Sequence, residues 1–133
     1  MSHCAIVVFM SVFCTKWFKK WSKKSNLKDQ DLIEAVANMK AGLSSSDLGN
    51  HLFKIRVKKP NSGKSSVFRT IVVYRENDRA IFLYGFGKNE RDNISTSELQ
   101  HFKKLGNDLL ALDKDKFKYF IDEKILFDIK VSR

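Results

Sequence analysis

Between His51 and Lys59 the chain reads HLFKIRVKK, with apolar residues and cations in strict alternation from Phe53 to Lys58. At the two-residue period of a strand, Phe53, Ile55 and Val57 share one face, and Lys54, Arg56 and Lys58 share the other. A face that is purely cationic calls for an anionic partner. Further cations recur on the segments that follow, at Arg69, Arg75, Arg79, Lys88 and Arg91. Guanidinium groups offer a rigid two-pronged fork to phosphate oxygens, and lysines add point charge. The pattern therefore points to a surface that handles RNA, against the plainer reading of a solvated sheet face. Exposed rings would suit the same ligand, because bases stack on aromatic faces. Phe68, Tyr74, Tyr84 and Phe86 are the candidates, although aromatic residues in strands most often pack in cores.

Other chemistries fail on spacing. SGKSS carries Gly63, Lys64 and Ser65, the end of a phosphate-binding loop, but the pattern needs glycine where Lys58 stands, and a strand follows where a helix is required. Gly85 and Gly87 begin a dinucleotide signature that Glu90 breaks at the third glycine. Histidines at 3, 51 and 101 and cysteines at 4 and 14 have neither metal-site spacing nor a partner set for a nucleophilic triad. No cofactor is expected.

The elements that must carry the cationic stripe can be read around it. Three runs, 51–58, 66–76 and 79–87, are separated by the short turns PNSG and ENDR, so they should form an antiparallel meander. Before them, an apolar run from Cys4 to Cys14 reads as a buried strand. TKWFKKWSKK then reads as a short helix with Trp17 and Trp21 four residues apart on one face, and Lys16, Lys19, Lys20, Lys23 and Lys24 around the rest. Leu32, Val36 and Met39 mark a second helix from Leu27 to Gly42, and the Gly, Ser and Asn cluster from Gly42 to Asn50 reads as a loop. Ser95 and Glu98 fit a capping box that opens a third helix with Leu99, Phe102, Leu105, Leu109 and Leu112 on its apolar face. A helical stretch from about Asp113 to Glu123 and the run ILFDIKV, a final strand or extended tail, complete the order. The class is α+β: an N-terminal strand and helical hairpin, a three-strand antiparallel meander, and C-terminal helices.

At 133 residues the chain is one domain by size. Met10 opens MSVFCTKWF, so residues 1–9 read as a possible N-terminal extension. Twenty-five Lys and Arg against 15 Asp and Glu give a formal net charge of +10, which favours nucleic acid, an anionic membrane surface or an acidic protein. The Cys4–Cys14 run falls short of the roughly 20 apolar residues of a membrane helix, and no basic leader precedes it, so neither span nor secretory signal is expected. If that run is extended, the two cysteines lie roughly 33 Å apart and cannot bridge within it. A reducing, cytoplasmic setting fits best.

The segments LFKIRV, FRTIVVYR and IFLYGFGKNERDNI resemble the RelE/HigB-like branch of the RelE/ParE toxin superfamily, and the likeness extends through TKWFKKWSKK and DLIEAVANMKAGLSSSDLG to cover nearly everything from Met10 onward. GKNERDNI is its most specific part. The resemblance implies a small α+β toxin with a central antiparallel sheet that cleaves mRNA, commonly in the ribosomal A site, and is neutralised by a cognate antitoxin, often a helix-turn-helix protein. It also implies active-site roles for Lys54, Arg56 and Arg69. Where the pattern places an arginine after glycine-lysine this chain has Asn89, and where it places a tyrosine it has Ser95; Lys88, Glu90 and Arg91 stand nearby to compensate.

On that footing RNA would be cut without metal, its own 2′-hydroxyl attacking the adjacent phosphate. Arg56, Arg69 and Arg91 would neutralise the phosphate, and Lys54, whose ammonium is disfavoured among like charges, is the candidate base. Lys58, Lys64 and Lys88 would bind the RNA backbone, with Lys88 alternatively donating to the leaving oxygen. Lys20, Lys23 and Lys24 would grip ribosomal RNA away from the chemistry. Two alternatives remain open: a ParE-like toxin that poisons gyrase, and a non-catalytic nucleic-acid-binding regulatory module.

Overall fold

The computed structural model describes residues 11–58 and 67–130. Strand β1 (Ser11–Thr15) alternates in burial and runs directly into helix α1 (Lys16–Lys24). Thr15 makes that switch: its backbone is extended, and its hydroxyl accepts from the Phe18 amide at 3.2 Å, capping the helix. Lys23 and Lys24 in the last turn complement the helix dipole. Helix α2 (Asp29–Lys40) has Asp29 and Asp31 in its first turn and buries Leu32, Ala35, Val36 and Met39.

A strand follows where a loop is expected. β2 (Ser45–Gly49) pairs antiparallel with β3 (Leu52–Lys58). Its sequence, SSDLG, has neither apolar alternation nor β-branched residues, because it is a polar edge strand from which only Leu48 packs against the core. Asn50 and His51 connect it to β3 with φ of 55° and 65°, the left-handed pair that a tight two-residue hairpin loop demands.

β4 (Val67–Arg75) and β5 (Arg79–Gly87) continue the expected meander, which is the middle of a larger sheet ordered β2-β3-β4-β5-β1-β6. The PNSG turn falls outside the described residues. β1 lies parallel to β5, and every other neighbour is antiparallel, so the sheet is mixed. β6 (Leu126–Ile129) is a strand rather than a tail, paired with β1. Between β5 and β6 come α3 (Thr96–Leu110) and α4 (Lys114–Asp122), and Ser95 and Glu98 form the expected capping box. No helix among the described residues is long and apolar enough to cross a membrane.

The sheet separates two cores. Ile55, Val57, Phe68, Val72 and Phe82 pack with residues of α1 and α2; Leu52, Ile71, Val73, Ile81 and Leu83 pack with Phe102, Leu109 and Leu110 of α3. Cys14 is buried in the first core, and burial pushes its thiol up to about 12. A bulge sets which side chains reach which core: Ile71 pairs with Tyr84 but Val72 with Phe82, leaving Leu83 as the extra residue of β5. The slip moves Tyr84 and Phe86 onto the α3 face and turns Gly85 toward α1. A Cβ at Gly85 would lie 2.3 Å from the Trp21 ring, so only glycine lets α1 settle there.

Candidate nucleic-acid interface and active site

The cationic stripe of β3 lies on the α3 face, beyond Leu52, where the helix no longer covers the sheet. Arg56 stands directly opposite Arg69 of β4, Lys54 opposite Ile71, and Phe86 of β5 opposite Arg69. Like charges directly opposed across strands destabilise a sheet, so this register has a cost unless an anion lies between them. Lys54, Ile55, Arg56 and Arg69 line a depression of about 380 Å³ together with Ser44, Ser45 and Ser46, and no carboxylate lines it. The three serines enter through the unexpected β2 hairpin.

Arg69 is the group most in need of a ligand. Its Nη1 is buried and has no hydrogen-bond partner among the described residues. An unsatisfied buried donor costs about 1–3 kcal/mol, more when charged, and such orphans are rare. Phosphate oxygens are its natural complement, shared with the facing Arg56 fork.

Lys54 Nζ donates to Asn93 Oδ1 at 3.4 Å. Asn93 belongs to the loop after β5, and its carbonyl accepts from Arg91 Nε at 3.0 Å. Arg91 is therefore brought to the rim, but its guanidinium is already engaged. Nη1 donates to Tyr84 Oη at 3.2 Å and to Glu98 Oε2 at 3.1 Å, Nη2 donates to Glu98 Oε1, and the group lies 5.6 Å from the Phe86 ring centroid. Arg91, with the Ser95 amide and hydroxyl, holds the Glu98 carboxyl down at about 2, and Glu98 in turn raises Arg91. Glu90 folds back to accept from the Gly87 amide at 3.0 Å. Ser95 is spent as the α3 cap, its hydroxyl accepting from the Glu98 amide at 3.1 Å.

Lys58 is exposed at the end of β3, and Lys88 is exposed just past β5. Lys64 lies outside the described residues. Lys20, Lys23 and Lys24 are exposed on α1, which covers the opposite face of the sheet, so they do not join the depression. Two cations of the sequence pattern serve α3 instead. Arg75 Nη2 donates to the Leu110 carbonyl at 2.9 Å and Arg79 Nη1 to the Leu109 carbonyl at 3.1 Å, while Asp78 pairs with both arginines. Phe68, Tyr74 and Phe86 pack in the protein, and Tyr84 is covered by Trp17 and Phe102 at 4.6 and 5.2 Å. The exposed large aromatic rings among the described residues are Trp17 of α1 and Tyr119 of α4, and neither belongs to the four expected candidates. Asn93 and the Ser44 to Ser46 wall escape sequence reasoning because their roles depend on contacts across the fold.

The family model of the RelE toxin of the RelE/RelB toxin-antitoxin system matches residues 10–129. This chain belongs to the RelE family. RelE membership makes it the toxin component of a toxin-antitoxin system, with a cognate antitoxin as its partner. A search of the curated proteins found no individual relative that matches it. The likeness to RelE toxins spans every element from β1 to β6, so the depression and its arginines lie wholly within the matched region.

Proposed function

We propose that this RelE-family toxin is an endoribonuclease that cuts translated mRNA in the cytoplasm without a metal ion. The buried, unpartnered Nη1 of Arg69, facing Arg56 across the strand pair, is the observation that carries this reading. A scissile phosphate seated between the two forks satisfies the orphan donor and relieves the arginine-arginine repulsion. The 2′-hydroxyl of the preceding nucleotide attacks that phosphate, and Lys54, steadied by Asn93, takes its proton. Negative charge growing on the phosphoryl oxygens falls to Arg56 and Arg69. The P–O5′ bond breaks, leaving a 2′,3′-cyclic phosphate and a 5′-hydroxyl protonated by Lys88 or by solvent. Arg91, committed to Glu98 and Tyr84, adds charge at the rim and fixes the loop that bears Asn93.

Lys58, Lys64 and Lys88 hold the RNA backbone near the site, and Lys20, Lys23 and Lys24 hold ribosomal RNA from α1. The antitoxin, a helix-turn-helix DNA-binding protein in this reading, masks the basic face with an acidic or apolar segment. One observation favours a non-catalytic RNA binder: Ser95 and Asn89 replace two reactive residues, and Ser95 is occupied as a helix cap. Gyrase poisoning is disfavoured by the opposed arginines, which such a role leaves without purpose.

Mapping of mRNA 5′ ends after induction separates these readings. Wild type should produce cuts at codon-phased positions, and Lys54→Ala/Arg69→Ala should not, while retaining its melting temperature. Arg69→Ala alone should slow cleavage by on the order of 10²-fold, as loss of one transition-state donor does. Growth arrest without cuts would redirect the search to gyrase, and intact RNA with unchecked growth would leave a binder.

A further inference from the structure

Trp17 is 47% exposed although it sits in a helix whose other aromatic residues, Phe18 and Trp21, pack into the protein. Isolated exposed apolar residues are ordinary, but the surroundings of this one are not. Its indole stacks on Tyr84 at 4.6 Å between centroids and 25° between planes, and lies nearly parallel to Trp21 at 6.3 Å and 12°. Tyr84 is backed in turn by Phe102 at 5.2 Å. The ring is therefore held rigidly, and ordering it on a ligand costs little further side-chain entropy.

Charge surrounds it. Lys16 and Lys20, one residue before it and three after it on α1, are exposed and have no acidic partner among the described residues, and the first turn of the helix contains no acid. On its inner side the stack leads straight back to the depression. Tyr84 Oη accepts from Arg91, Arg91 lies over Phe86, and Phe86 pairs in register with Arg69. The bulge at Leu83 creates this continuity, because it turns Tyr84 to the cationic face while Trp17 reaches it past the end of β1.

We propose that Trp17 is a base-stacking platform for single-stranded RNA leaving the Arg56 and Arg69 depression, with Lys16 and Lys20 taking the flanking phosphates. The inference rests on the reading of the depression as an RNA site and extends it past Arg91 to α1. Aromatic residues interleaved with cations are how single strands are gripped without regard to sequence.

The test uses the full chain, free of antitoxin, and a 2′-O-methyl RNA of about eight nucleotides, which the 2′-hydroxyl mechanism cannot cut. Fluorescence anisotropy should show Trp17→Ala binding on the order of 5- to 100-fold more weakly than wild type. Trp17→Phe should recover most of the affinity and Trp17→Leu should not, since leucine fills space but offers no π face. As a check independent of folding, photocross-linking of the same RNA carrying 5-bromouridine to the wild-type protein should place an adduct on Trp17. Equal affinity for Trp17→Ala, full rescue by leucine, or adducts confined to other residues would each overturn the platform and leave Trp17 to a protein or membrane partner. Failure of the nuclease reading is separately visible: a wild type that never cuts RNA but cross-links through Trp17 keeps the platform and loses the catalysis.

Discussion

The Arg91 and Glu98 pair is half exposed, yet it joins three elements: the loop after β5, the N-terminus of α3 and, through Tyr84, the sheet. Glu98 ionises near 2 in the fold, against an ordinary value of 4.5. A carboxyl held down by folding stabilises fully above its unfolded value, and that contribution drains away as pH falls toward the folded one. Urea unfolding measured from pH 5 to about 2 should therefore show acid destabilisation that Glu98→Gln flattens in this window. A variant as steeply pH-dependent as wild type would mean that other carboxyls control the acid limb. The same cluster shows what one chain of letters conveys at residue scale. Alternation was enough to set Lys54 and Arg56 on one face, since period two is a property of the strand itself. That Arg91 is clamped, or that Arg75 and Arg79 cap α3, depends on partners brought in by tertiary packing.

At the scale of elements, the bulge in β5 and the glycine beside it govern how α1 meets the sheet. Gly85→Ala would drive a methyl group into Trp21, and overpacking of this kind typically costs about 1–3 kcal/mol. A lowered melting temperature should be accompanied by a changed tryptophan emission spectrum, because Trp21 and the Trp17 stacked beside it both move. Ser95→Ala, by removing the cap of α3, should cost about 0.5–2 kcal/mol, read as a shift in the denaturation midpoint. The helices, the meander and this cap were legible because each carries its own local signal. β2 was not, since a polar edge strand is made by its neighbour's hydrogen bonds and by the two left-handed residues of its turn.

Across the whole molecule, whose formal net charge is +10, basic groups lie on both faces of the sheet: the stripe beside the depression on one and the lysines of α1 on the other. Each phosphate engaged on a single strand contributes about −0.7 to the slope of log affinity against log salt. Replacing Lys23 and Lys24 by glutamine should flatten that slope for binding to ribosomes while leaving the slope for a short oligonucleotide in the depression nearly unchanged. Equal flattening in both assays would mean that the surfaces act as one.

The place of β1 has a consequence for the order of events during synthesis. This strand pairs with residues 79–82 on one side and 126–129 on the other. Until residues 126–129 have been made, β1 can pair with β5 alone, and its other edge has no strand beside it. The edge of the sheet that β6 forms is therefore completed only after α3 and α4, which precede it in the chain, have been made.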